Sequence, residues 1–152
     1  MTIEQRLKGL GLALPEQPTP VGNYIPAQRS GNLVFTSGQT ARINGVRRYV
    51  GVVGREVTPE DAVLSARDST LNCLACVKAV VGDLDRVVRI VSVMGYVNCA
   101  PGYEELDRII DGASDLLRML FGGGAHVRSV IANGSLPSNV SVEIELVAEV
   151  RP

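Results

Sequence analysis

Histidine, tryptophan and charge of either sign in excess are what this 152-residue chain has least of. It holds one His, no Trp, three Cys, four Tyr and two Phe. A single His cannot supply a multi-His metal centre, and no Cys or His cluster has zinc-ligand spacing, so no metal and no cofactor are expected. A Ser–His nucleophile pair would have to use His126. Lys plus Arg number 15 against 16 Asp plus Glu, a net charge of −1. That balance, with a pI near 5.8, argues against a phosphate-backbone binder. Aromatics at 4% are too sparse for a base-stacking surface, so nucleic acid is not an expected partner. No run of about 18 uncharged apolar residues exists, so no membrane span is expected. Glu4, Arg6 and Lys8 interrupt the N-terminal stretch, which therefore does not read as a secretory signal. An odd cysteine count without a disulfide pattern points to the cytoplasm.

What is present is an apolar, weakly charged chain. Charged residues make up 20%, below the usual ~25%. A second buried surface would use the apolar excess, so a homo-oligomer is expected. The length predicts one domain over residues 1–152, with residues 1–20 as a helix and a Pro-rich extension. Thr2 and Gln5 can form a capping box on a helix over residues 2–12. Strands are expected at 33–37 and 46–52, the second after a turn at Asn44-Gly45. Thr58-Pro59-Glu60-Asp61 opens a helix that ends before Gly82. Residues 86–97 read as a strand buried on both faces. A second long helix follows Pro101 and ends at Gly122-Gly123-Gly124. Strands at 127–134 and 140–150 complete an α+β domain: one mixed sheet with two helices packed on one face.

The last two strands carry the first candidate for chemistry. If Gly134 pairs with Asn139, Arg128 lies opposite Glu145 and Glu143 opposite Val130, all on one face. An Arg beside a carboxylate is either a structural ion pair or a ligand site. In the second case the guanidinium grips a substrate carboxylate and the Glu activates water. Cys73 and Cys76 fall mid-helix, where a CxxC pair lacks the dipole's help and reads as core. Arg42, Arg47, Arg48 and Arg55 form a loose basic cluster that reads as solvated surface.

The stretch Val127-Arg128-Ser129-Val130-Ile131, with Gly134, Leu136 and Val142-Glu143-Ile144, resembles the C-terminal signature of the RidA family, also called YjgF or endoribonuclease L-PSP. Val21-Gly22-Asn23-Tyr24 and Gly31 through Gln39 resemble its N-terminal signature. The likeness covers residues 20–151, with the N-terminal helix as an extension found in a divergent subgroup. It implies a chorismate-mutase-like fold, a homotrimer with clefts between subunits, and hydrolysis of 2-aminoacrylate-type enamines and imines to 2-keto acids and ammonia. It also implies Arg128 as carboxylate clamp, Glu143 as the group that positions or deprotonates water, and Tyr24, Ser37, Gly38 and Val130 around the ligand. His126 departs from the family, which has Pro or Ala there; as a strand residue it would share a face with Arg128. A non-catalytic carboxylate binder is the alternative. Ribonuclease or translation-inhibitor activity, implied by the older family label, is disfavoured by the charge.

Overall fold

The computed structural model describes residues 1–122 and 124–152. The expected cap at the Gly triplet therefore lies partly outside the described residues. Helix α1 (Ile3–Gly9) carries both halves of the Thr2/Gln5 capping box. It buries Ile3 and Leu7, while Arg6 donates to the Leu120 carbonyl at 2.6 Å. Four short strands follow: β1 (Ala27–Ser30), β2 (Leu33–Thr36), β3 (Arg42–Ile43) and β4 (Val46–Arg47). Helix α2 (Pro59–Val81) starts at the Thr58 cap, whose hydroxyl accepts from the Asp61 amide. Strand β5 (Val87–Asn98), helix α3 (Leu106–Phe121), β6 (Val127–Asn133) and β7 (Val142–Val150) complete the chain.

The main sheet has the order β1-β2-β7-β5-β6, and β3 pairs only with β4. Helices α2 and α3 cover one face. They pack tightly at Gly112, where a Cβ would overlap the Val63 carbonyl oxygen. A Cβ at Gly95 would come within 2.7 Å of Ile110, so α3 lies directly on β5.

Three expectations need correction. The first concerns the register of the last two strands. Strands β6 and β7 do not pair; β5 lies between them, parallel to β6 and antiparallel to β7. The α3 crossover between β5 and β6 makes that pair parallel, as a helical connection requires. The Leu136–Asn139 reversal then carries the chain past β5 rather than into a hairpin. Arg128 aligns with Val93, and Val93 with Leu146, on the helix-facing side. Glu143 aligns with Tyr96, an odd number of residues along β5, on the opposite face. Arg128 and Glu143 of one chain are therefore back to back, and Arg128 is not opposite Glu145.

The second correction is to β5 itself. Val93 and Val97 are buried, while Ser92, Met94 and Tyr96 are only half-buried. The face opposite the helices carries Glu143, Glu145 and the exposed apolar side chains of Phe35 and Ile131. The third is the 46–52 strand, which ends at Arg47; Val50 and Val53 form isolated bridges to Val140 and Cys99. Strand β1 has no counterpart in the expectations, because four mostly polar residues at an edge carry no apolar run.

Candidate functional site

The seven predicted site residues fall into two groups. Tyr24, Ser37, Gly38 and Glu143 lie together at one end of the sheet, around the segment that follows β2. His126, Arg128 and Val130 lie on β6 and its approach, against α3.

A bulge builds the first group. Phe35 pairs with Val147, and the next pairing is Gln39 with Ile144. Thr36, Ser37 and Gly38 thus oppose only Leu146 and Glu145, and the extra residue re-aims the strand. The ladder closes again through Gln39 N to Ile144 O at 2.7 Å and Ile144 N to Gln39 O at 2.9 Å. Ser37 is locked in place. Its amide donates to the Pro26 carbonyl at 2.8 Å, its hydroxyl donates to the same oxygen at 3.3 Å, and that hydroxyl accepts from Gln39 Nε2 at 3.1 Å. Gly38 is where backbone meets carboxylate: a Cβ there would lie 2.6 Å from Glu143 Oε1. Glycine is required for Glu143 to lie across the bulge.

Glu143 is half-buried and has no cation within 4.0 Å among the described residues. Burial, then the charge of Glu145 two residues on, raises its pKa above the ordinary carboxylate value. Glu145 accepts a hydrogen bond from Tyr96 at 3.0 Å. Tyr24, largely exposed, stands at the mouth of a cleft of ≈ 150 Å³ that Gly38 and Glu143 also line. Arg42, Arg47 and Asn72 line the same cleft. Of these, only the arginines carried a sequence signal, and the charge cluster alone did not show where they point.

The second group is a polar cluster on α3. Arg128 donates to Asp111 Oδ1 at 2.7 Å, to Asp107 Oδ1 at 3.0 Å and to Ser114 Oγ at 3.1 Å. These three partners sit at i, i+4 and i+7, one stripe of the helix. Burial opposes the charge of Arg128, and the two carboxylates more than offset it. His126 Nε2 lies 2.8 Å from Ser114 Oγ. Burial, then the charges of Arg128 and Arg118, lowers the His126 pKa, so its ring favours the neutral form. Val130 packs against the core rather than lining the cleft. Its expected place around the ligand is not met within one chain.

The cysteines are core residues. Cys73, Cys76 and Cys99 are free and buried. Burial pushes the Cys73 thiol up strongly and that of Cys76 up to about 11, so neither is a thiolate at neutral pH. Among the described residues there is no cluster of three or more metal-ligating side chains, and no helix is long and apolar enough to cross a membrane.

Fold and site define an α+β protein with a carboxylate, in a cleft at a sheet bulge, that has no cationic partner among the described residues. The chain belongs to the YjgF/chorismate mutase-like family, whose sequence model, described as "YjgF/chorismate_mutase-like, putative endoribonuclease", matches residues 4–150. It is similar to protein TCP17 of Trypanosoma cruzi, at 32% identity over 97% of this chain and 93% of that protein. Among solved structures it resembles Atu1372 of Agrobacterium tumefaciens, a protein of unknown function, with TM-score 0.91 and 39% identity over 98% of this chain and 92% of that one. It also resembles a "putative endoribonuclease" from Shewanella oneidensis, with TM-score 0.94 and 36% identity over 99% and 100% of the two chains. At the level of fold alone it matches Escherichia coli TdcF, solved with bound serine, at TM-score 0.65 and 23% identity over 90% and 94%.

Proposed function

We propose that this protein is an enamine/imine deaminase. It acts on small 2-imino acids of the 2-aminoacrylate type, in clefts between the subunits of a homotrimer. The observation that carries the reading is Glu143: a half-buried carboxylate with raised pKa, no cation beside it among the described residues, and a glycine at the bulge that leaves room for it. A carboxylate whose pKa is raised by burial is a better proton acceptor than an ordinary one, which suits it to take and return a proton. TdcF, which shares the fold, holds a small amino acid. Three free, buried cysteines suit the reducing cytoplasm in which we place the protein.

The chemistry asks little of the protein. Water adds its oxygen to the electrophilic imine carbon as the C=N electron pair moves to nitrogen. Glu143 accepts the water proton and returns it to that nitrogen. The carbinolamine hydroxyl then gives its proton, by way of Glu143, to the amino nitrogen, and as the C–N bond breaks and C=O forms, ammonia leaves and the 2-keto acid remains. Tyr24 and the backbone at Ser37–Gly38 position the substrate, with no metal or cofactor in the scheme.

The topology supports a site shared between copies. Arg128 and Glu143 of one chain occupy opposite faces, so only a second copy can bring one to the other. Arg128 is on the edge strand β6, and Glu143 on the face where Phe35 and Ile131 are each 45% exposed. Packing that face against the β6 edge of a neighbour covers the apolar surface and delivers Arg128, with His126 beside it, to the cleft. There Arg128 anchors the substrate carboxylate.

The test is the loss of 2-aminoacrylate, generated in situ and followed optically. The protein should accelerate it, and E143Q should lower kcat/KM by about 10²–10⁴-fold. No acceleration with several amino-acid-derived imines would remove the reading. One observation favours a second: Asp107 and Asp111 already occupy the guanidinium of Arg128, so a ligand must displace one of them. Carboxylate binding without imine turnover would make the protein a carboxylate-binding module.

A further inference from the structure

The four arginines around the first hairpin separate on folding. Arg48 approaches Asp68 at 3.9 Å, and Arg55 binds Glu56 at 2.9 Å. Arg42 and Arg47 have no ion pair among the described residues, although they are direct cross-strand partners on β3 and β4. Like charges placed opposite each other in a sheet repel. Here both also line the cleft that holds Tyr24, Gly38 and Glu143.

The hairpin that carries them is fixed rather than loose. Asn72, fully buried on α2, donates through Nδ2 to the Thr40 carbonyl at 2.8 Å and the Arg42 carbonyl at 2.7 Å. The turn at Asn44-Gly45 has φ values of 50° and 83°, the left-handed pair of a tight hairpin. The Glu16 amide donates to Asn44 Oδ1 at 3.1 Å. Glu16 lines the neighbouring recess with Arg42, and among the described residues the two form no ion pair. A like-charged pair, held rigidly at a cleft and left uncompensated, is a preorganised anion site. Its two charges exceed the single charge of Glu143 in the same cleft.

We infer that Arg42 and Arg47 form a subsite for a second carboxylate, making dicarboxylic 2-imino and 2-keto acids the preferred ligands of this cleft. This rests on the cleft reading above, in which Arg128 from a neighbouring subunit holds the first carboxylate. The Arg42–Arg47 pair then grips the acid group at the far end of the ligand, leaving the C=N carbon beside Glu143.

Calorimetry on the full chain tests it with two probes, 2-oxobutyrate and 2-oxoglutarate. The diacid should bind at least about tenfold more tightly than the monoacid. In R42Q/R47Q that preference should vanish, with 2-oxobutyrate held within about twofold of wild type. R128Q should weaken both probes alike. Without ligand, R47Q should melt at or above the wild-type temperature, because it relieves repulsion; a clear drop would mark the pair as structural and overturn the inference. Equal affinity for the two probes, a diacid preference that survives R42Q/R47Q, or equally effective competition by inorganic phosphate would also overturn it. In those cases the cleft reading stands if 2-oxobutyrate binding is lost in R128Q and imine turnover in E143Q. Failure of both probes to bind wild type would remove both readings.

Discussion

At the scale of single residues, Glu143 sets a condition on pH. Burial and the Glu145 charge raise its pKa, so the folded state favours the protonated acid. The sign follows: this group's contribution to stability is fully present below its unfolded pKa and is lost as pH rises through its raised folded value. E143Q should therefore be more stable than wild type at neutral pH, with the gain fading in acid. Thermal melts of both proteins across the acid range check this. The proposed imine hydrolysis needs the opposite form. Its acid limb should sit above the ordinary carboxylate range and shift downward in E145Q, which removes the neighbouring charge. Arg128 makes a second residue-scale prediction. D107N/D111N frees the guanidinium, so a monocarboxylate such as 2-oxobutyrate should bind several-fold more tightly, as titration calorimetry would show.

At the scale of elements, what was legible depended on whether the signal was local. The Thr2/Gln5 box, the Thr58 cap, the Asn44-Gly45 turn and the alternation of β7 all stood where local chemistry placed them. Strand order did not, because pairing depends on which strands a helix separates rather than on the strands' own residues. Reading β6 and β7 as neighbours put Arg128 and Glu143 on one face. The intervening β5 puts them on two, and a period-two pattern is indifferent to that choice. The Gly38 bulge was equally hidden, since the need for glycine there comes from the Glu143 side chain on β7, far away in the sequence. Tyr24, Ser37, Gly38 and Glu143 come together only in the fold, and from sequence they rest on the family resemblance; the Arg42 and Arg47 cluster reads as solvated surface. The α2–α3 contact gives a prediction at this scale. G112A must push a methyl group into the Val63 carbonyl and should cost about 2–3 kcal/mol, read as a lower denaturation midpoint.

At the scale of the whole molecule, one covering surface explains several features. The chain is more apolar and less charged than its size needs, and its bare sheet face carries Phe35 and Ile131. Arg128 and Glu143 of one chain lie on opposite faces of its sheet. A trimer that sets each β6 edge over a neighbour's bare face accounts for all three. Subunit complementation measures this directly. R128A and E143Q should each be inactive alone. Refolded together in equal amounts, random trimers would pair an intact Arg128 with an intact Glu143 of the neighbour in about a quarter of the clefts. The account predicts imine turnover near that fraction of wild type. A mixture as inactive as its parents, despite forming mixed trimers, would contradict a site shared between chains.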